Sequence, residues 1–169
     1  MSTPSQLVIF RLDDLRYAIP LGAVERIVRA VEVTPLPKSS EIVLGIVDVA
    51  GRVLPVLNVR RRFGRPDKDI SSADQFLIAR TARREMILVV DESEGVIECL
   101  PADIAASAEI LPGLKEFHGV IRLDGGLALI CDLEQFVSLE EADALDTAVR
   151  QLTDYEPKRF TSCRMGAGE

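Results

Sequence analysis

The sequence predicts a mainly β protein built from two copies of one arrangement of strands. Two observations lead to this fold class. First, the segment LGIVDVAGRVLPVLNVRRRFG at residues 44–64 returns in outline as HGVIRLDGGLALICDLEQFV at residues 118–137. Second, each copy places an apolar run after a glycine, then a small turn with a second glycine, then another apolar run. Because such an order is hard to obtain by chance, we interpret the two segments as an internal repeat.

The individual strands follow from apolar runs of strand length that polar turns separate. Residues 24–28 fit either a helix or a strand with Arg26 facing water. Near-continuous apolarity, as at residues 44–49, indicates strands that are covered on both faces. The other predicted strands lie at residues 6–13, 17–19, 53–57, 76–79, 86–91, 95–100, 120–123 and 127–131.

Proline and glycine positions refine this outline. Pro55 lacks the N–H that a ladder needs, so its strand is predicted at a sheet edge or at a bulge. A short helical turn at residues 60–63 should end at Gly64 and Pro66. Apolar side chains at mostly helical intervals over residues 133–149 predict a C-terminal helix.

The polar composition divides the chain into one domain and a tail. We predict a single domain over residues 1–152, with an internal seam near residues 65–73 and an irregular crossover near residues 100–118. Residues 153–169 have no apolar period, so they are predicted to be a mobile tail.

Composition excludes several functional classes. The 169 residues carry a net charge of −7 and contain no Trp, which argues against nucleic-acid binding through phosphates or stacked bases. We interpret the basic groups Arg60, Arg61, Arg62 and Arg65, and Arg80, Arg83 and Arg84, as solvated helix and turn positions. Three scattered cysteines and the lack of a secretory signal pattern place the protein in the cytoplasm.

No motif assembles a catalytic site or calls for a cofactor or metal. His118 is the one histidine and has no cysteine or second histidine near it in sequence. Asp13, Asp14 and Asp132 occupy positions where turns and helix N-caps favour aspartate. A small enzyme that uses Asp48, Asp91 and His118 remains a remote alternative, which spatial separation of the three would exclude.

Four ordered segments resemble CheW-type chemotaxis coupling proteins, over about residues 6–149. They are LVIFRLDDLRYAIPLGAVERIV, TPLPKSSEIVLGIVDVAGRVLPVLNVRRRFG, ILVVDESEGVIECL and LDGGLALICDLEQFV. The resemblance implies two SH3-like five-stranded β-barrels around a shared core, with short helices and a C-terminal helix. It also implies a non-enzymatic cytoplasmic adaptor without a cofactor, recruited to membrane receptor arrays.

The resemblance further implies the partners and the residues that meet them. The expected partners are the cytoplasmic tip of chemoreceptors and the regulatory domain of a CheA-type histidine kinase, with no nucleic acid and no membrane insertion. The positions that match the family's contact surface are Val24, Ile27, Gly45, Val47, Ala50, Gly51 and Pro55. An alternative for these residues, at least as strong for Gly45 and Pro55, is a role mainly in the core.

Two departures from the family pattern bear on binding. The family turn is commonly Asn-Leu-Arg-Gly, whereas this chain reads Asp48-Val49-Ala50-Gly51, and the family's Asp before the short helix is Asn58. Loss of an arginine removes up to five hydrogen-bond donors and a fixed charge. We therefore hypothesise altered or weakened partner binding, as in an adaptor of pilus motility or cyclic-dinucleotide signalling. Another alternative is a regulator of the same fold that competes with a main pathway.

Overall fold

The computed structural model describes residues 4–36, 42–106 and 117–135. These residues form two β-sheets, one short α-helix and three 3-10 turns. The strands are β1 Ser5–Leu12, β2 Leu15–Pro20, β3 Val24–Arg29, β4 Val43–Val49, β5 Arg52–Leu57, β6 Gln75–Arg80, β7 Glu85–Val90, β8 Glu92–Cys99, β9 Ile104–Ala106, β10 Phe117–Leu123 and β11 Gly126–Cys131. Helix α1 is Val59–Arg62, and the 3-10 turns are Leu21–Ala23, Pro101–Asp103 and Leu133–Gln135.

The two sheets define two subdomains. Barrel 1 is the five-stranded sheet with the order β3-β6-β7-β5-β4, and barrel 2 is the six-stranded sheet with the order β8-β1-β2-β11-β10-β9. Most neighbours are antiparallel, but β5 pairs with β7 and β11 pairs with β2 in parallel. The mainly β fold class and the two-barrel arrangement are therefore confirmed. The predicted C-terminal helix and the tail lie outside the described residues.

The internal repeat is real, but its two halves exchange strands. Strands β1 and β2 come from the first half of the chain and belong to barrel 2, whereas β6 and β7 come from the second half and belong to barrel 1. The pairings correspond throughout: β1 with β8 matches β6 with β3, and β11 with β2 matches β5 with β7. Residues 65–73 separate the halves in the chain, yet each barrel contains strands from both halves.

Strand alternation explains why the apolar runs are nearly continuous. In β1, Leu7 and Ile9 enter the core of barrel 2, whereas Val8, Phe10 and Leu12 enter a core that the two barrels share. Strands β6 and β7 divide in the same way between the core of barrel 1 and the shared core. Because successive side chains of a strand point to opposite faces, a strand between two cores must be apolar at every position.

Two glycines at equivalent positions allow a neighbouring segment to approach closely. A Cβ atom added at Gly45 would lie 2.1 Å from the Thr34 carbonyl oxygen, and one added at Gly119 would lie 2.4 Å from the Ala105 carbonyl oxygen. Thr34 bridges to Ile46 beside β4, and β9 pairs with β10 at Gly119. The repeated glycine therefore closes each barrel where backbone meets backbone.

Two sequence expectations are settled by the sheet order. Residues 24–28 are a strand, β3, and not a helix. Of the two alternatives predicted for the Pro55 strand, a sheet edge or a bulge, the edge is wrong, because β5 lies between β7 and β4. Proline is tolerated there since the ladder to β7 includes only Val56 and Leu57, and the register of β4 shifts between Val43 and Gly45.

Candidate partner-binding site

The turn between β4 and β5 projects at one end of barrel 1 and contains two of the predicted contact residues. Ala50 and Gly51 are exposed, with φ angles of 52° and 90°. Positive φ at both central positions is the requirement of the tight two-residue hairpin turn whose twist suits antiparallel strands. The Asp48 carboxylate accepts a hydrogen bond of 2.8 Å from the Gly51 N–H, which holds the turn in this conformation.

An arginine beside this turn joins three strands of barrel 1. The Arg52 guanidinium donates to Glu25 on β3, with an Nη2 to Oε2 distance of 2.8 Å, and also to Glu85 on β7. Hydrogen bonding to Arg52 lowers the pKa of Glu25, and the two carboxylates raise the pKa of Arg52. Since β3 and β4 are the two edges of the sheet, the pairing of Arg52 with Glu25 ties the turn to the opposite edge.

The apolar members of the predicted set do not form one continuous exposed strip. Val24 and Ile27 on β3 are half-buried and lie against the shared core, facing the same side as Ala79 and Leu77. Val47 is also half-buried but packs against the core of barrel 1. The three side chains therefore divide between two packing clusters, and only part of each is available to a partner.

Gly45 and Pro55 are buried. The Thr34 backbone approaches Gly45 so closely that there is no room for a side chain at this position. Pro55 pairs with Ile46 inside the sheet. In this monomer their contribution to the candidate site is to shape β4 and β5, from which the exposed turn projects. Any direct contact with a partner stays a prediction for these two positions.

A buried arginine organises a charged cluster that the sequence did not reveal. The side chain of Arg60 in α1 is 9% exposed, so the interpretation of this residue as solvated is wrong. Its guanidinium donates to Asp13 at 2.9 and 3.0 Å and to both carboxylate oxygens of Asp91 at 2.8 Å. Arg65 donates to Asp13 at 3.1 Å, and Lys68 donates to Asp91 at 3.3 Å.

The cluster fixes the ionisation of its carboxylates. Hydrogen bonds from Arg60 lower the pKa of Asp13 to about 2. Burial by itself would raise the pKa of Asp91, but bonds from the Asp13 backbone N–H and from Arg60 outweigh it and hold the pKa below its ordinary value. The aspartates stand 47 and 31 residues from Arg60 in the chain, so no local spacing signals the cluster.

The three residues of the remote enzyme alternative have separate partners. Asp48 accepts from the Gly51 N–H, Asp91 binds Arg60, and His118 lies beside Asp132, with 3.6 Å between Nε2 and Oδ2. Within residues 4–36, 42–106 and 117–135, no group of three or more His, Cys, Asp or Glu side chains is arranged to hold a metal ion. In the same part of the chain, no helix has the length and apolarity to span a membrane.

The fold and the site define a two-barrel β domain with an exposed turn that Asp48 and Arg52 flank. Residues 6–141 match the family model described as a CheW-like domain, and the chain belongs to this family. Its members are non-enzymatic adaptors of chemotaxis signalling, so the chain is an adaptor and not an enzyme.

Individual relatives agree with this assignment. A chemotaxis protein CheW from Treponema pallidum (strain Nichols) is 25% identical over 146 residues, which cover 83% of this chain and 86% of that protein. Protein FrzA from Myxococcus xanthus is 30% identical over 117 residues, covering 65% and 73%. The crystal structure of the scaffolding protein TtCheW from Thermoanaerobacter tengcongensis shares the fold, with a TM-score of 0.74, 22% identity and coverage of 82% and 91%.

Proposed function

We propose that this chain couples chemoreceptors to a CheA-type histidine kinase in a bacterial chemosensory pathway, on the cytoplasmic side of receptor arrays. The observation that carries the proposal is the exposed Ala50-Gly51 turn, held by Asp48 and Arg52 at one end of barrel 1, in a chain that belongs to the CheW-like family. A rigid turn loses little conformational freedom on binding, which favours its use as a contact surface.

In this proposal the seven predicted residues have two kinds of role. Ala50 and Gly51 contact the partner directly, together with the accessible parts of Val24, Ile27 and Val47. Gly45 and Pro55 act from inside the barrel by holding β4 and β5 in position. Their substitution would weaken binding only by disturbing the fold.

Titration calorimetry with the regulatory domain of each CheA-type kinase from the same cell tests the kinase half of this function. We expect saturable one-to-one binding to at least one kinase, and co-purification of chemoreceptors with the tagged chain from native cells. Absence of binding to every such kinase and receptor would refute the proposal.

A second candidate function rests on Ala50 itself. The turn of the family that this chain resembles commonly has an arginine at this position. Ala50 has neither a guanidinium group nor a charge. We propose as the alternative an adaptor of a non-flagellar chemosensory pathway, with altered or weakened affinity for the main kinase.

The test variant is Ala50→Arg and the matched control is Ala73→Arg. Ala73 is an exposed alanine outside the β4–β5 turn, two residues before the first residue of β6. If the missing arginine sets affinity, Ala50→Arg should strengthen binding to the main kinase by about tenfold, the effect of one good interface arginine. The control should bind like the native chain. Unchanged affinity of Ala50→Arg for every kinase and receptor of the host would contradict this alternative.

A further inference from the structure

The chain leaves barrel 2 beside a turn of barrel 1. The 3-10 turn Leu133–Gln135 is the last described element, and its Leu133 side chain is buried in the shared core. The next side chain, the Glu134 carboxylate, accepts a hydrogen bond of 3.0 Å from the Ala82 N–H, in the turn between β6 and β7. The point from which residues 136–169 continue is therefore fixed against barrel 1.

The turn that Glu134 contacts is rich in arginine. Residues 80–84, called the basic turn below, read RTARR. Arg80 and Arg83 are exposed and form no ion pair with another described residue. The Thr81 hydroxyl accepts from the N–H groups of Arg83 and Arg84 at 3.2 Å, which holds the backbone of the turn in one conformation. An ordered turn therefore presents guanidinium groups beside the exit of the chain.

The charge of the surrounding barrel does not cancel that of the basic turn. In barrel 1 with its connections, described residues 21–36 and 42–91, eleven Lys and Arg side chains outnumber eight Asp and Glu, a net charge of +3. In barrel 2, described residues 4–20, 92–106 and 117–135, three basic side chains stand against nine acidic ones, a net charge of −6. The basic turn therefore lies on the barrel that attracts negatively charged groups.

The sequence that continues from this exit is acidic. Between Gln135 and Arg150 it contains no Lys or Arg, and its four charged residues are Glu140, Glu141, Asp143 and Asp146. Residues 140–146, the acidic segment, lie outside the described part of the structure. Glu140 follows Glu134 by six residues, which span about 9 Å as a helix and at most about 20 Å when extended. Because Glu134 contacts the basic turn, the acidic segment stays within reach of that turn.

We propose that the acidic segment, residues 140–146, docks on the basic turn, residues 80–84, of the same chain. The occupant is the chain's own segment because the Glu134 contact tethers it there, and a short tether gives an effective concentration that a free molecule rarely matches. The docked segment neutralises the guanidinium groups of the turn and joins the end of barrel 2 to barrel 1 beyond Glu134. Exposed ion pairs of this kind are individually weak, and salt screens them.

Nuclear magnetic resonance of the full chain, labelled with ¹⁵N, tests the contact directly. In about 0.01 M salt, where screening is weak, Glu140→Gln with Glu141→Gln should shift the N–H signals of residues 80–84 and the side-chain Nε–H signals of Arg80 and Arg83. The matched control, Asp154→Asn with Glu156→Gln, removes the same charge further along the tail and should leave these signals in place.

Two results of this measurement would overturn the proposal. One is the absence of any shift at residues 80–84 when Glu140 and Glu141 are neutralised. The other is a shift whose size depends on protein concentration, because a contact within one chain does not depend on concentration and a contact with a second copy does.

Exchange of the charges tests whether the two groups face each other. The basic-turn variant, Arg83→Glu, and the acidic-segment variant, Glu140→Arg with Glu141→Arg, should each lower the melting temperature of the full chain by about 2–4 °C in low salt. The combined variant restores opposite charges in exchanged positions and should recover more than about half of the summed loss. A combined loss equal to the sum of the two separate losses would contradict the docking.

A matched control separates this contact from general charge effects. Arg29→Glu makes the same reversal at an exposed arginine of barrel 1, but Arg29 pairs with Gln75 at the other end of β6 from the basic turn. Combined with the acidic-segment variant, it should give no recovery of melting temperature. Circular dichroism should show native strand content for every variant. Because these measurements contain no kinase or receptor, their outcome is independent of the coupling function proposed above.

Discussion

Arg60 donates from Nη2 to both carboxylate oxygens of Asp91 at 2.8 Å, and this pair joins α1 to the junction between the strands of the two barrels. Asp91 follows β7 of barrel 1 and precedes β8 of barrel 2, and its backbone N–H donates to the Arg11 carbonyl oxygen at 3.0 Å. The same guanidinium reaches Asp13 in the β1–β2 turn. One buried side chain thus links both barrels to the helix.

Removing the Arg60 side chain should destabilise the protein strongly. Arg60→Ala leaves Asp91, whose side chain is 19% exposed, without its main cationic partner, and breaking a buried pair in this way costs about 3–5 kcal/mol. Arg61→Ala is the control, because that neighbour is 41% exposed and pairs with an exposed aspartate, an interaction worth less than about 1 kcal/mol. Urea unfolding measures both changes. Equal losses for the two variants would show that the Arg60 cluster does not bind the subdomains together.

Acid should weaken the fold through Asp13. The pKa of Asp13 falls from 3.8 to about 2 in the folded protein, so the unfolded chain takes up this proton first as pH decreases. The stabilisation is therefore present above about pH 4 and is lost between about pH 4 and about pH 2. In Asp13→Asn the unfolding free energy should decline less over this interval. Asp14→Asn, at an exposed position in the same turn but outside the cluster, is the matched control variant.

A side chain at either repeat glycine should disturb a barrel seam. Gly119→Ala places a methyl group 2.4 Å from the Ala105 carbonyl oxygen, and Gly45→Ala places one 2.1 Å from the Thr34 carbonyl oxygen. Overpacking against backbone of this kind costs about 1–3 kcal/mol or more. Gly22→Ala, with no atom within 4 Å of the added methyl, is the control and should change stability little. Thermal unfolding will distinguish them, and native stability of both barrel variants would refute the close-approach argument.

A substitution at Ala50 should increase the stability of the protein without changing any core residue. A non-glycine residue at a φ of 52° is strained, and Asn before Gly is the preferred pair for this turn. Ala50→Asn should therefore stabilise the protein by about 0.5–1 kcal/mol. Ala73→Asn, at an exposed alanine without positive φ, should not. A destabilised Ala50→Asn would mean that the turn conformation differs from the one described.

The local elements were predictable because their causes are local. Asn58 was recognised ahead of a short helical turn, and in the structure its Oδ1 accepts from the Arg61 N–H at 3.0 Å as the N-cap of α1. The hairpin centred on Gly51 was predicted from the glycine and the two flanking apolar runs. In each case, residues within a few positions of one another determine the backbone conformation.

The burial of Arg60 and the inner position of the Pro55 strand were not predictable in this way. Arg60 belongs to a run of arginines, and nothing within that run distinguishes the buried one from its exposed neighbour Arg61. Proline avoids positions where its missing N–H would interrupt a hydrogen-bond ladder. The ladder between β5 and β7 begins only at Val56, so Pro55 lies outside it even though β5 is an inner strand.

By itself, the sequence determined that the protein has two similar β halves, that the strands at residues 44–49 and 53–57 are covered on both faces, and that it resembles the CheW family. Tertiary structure alone decided that the halves exchange their first hairpins, that Gly45 and Pro55 lie inside while Ala50 and Gly51 face solvent, and that charge divides between the barrels. The physical reason is distance along the chain. Strand propensity, turns and caps depend on near neighbours, whereas burial and ion pairing depend on residues that only the completed fold brings together.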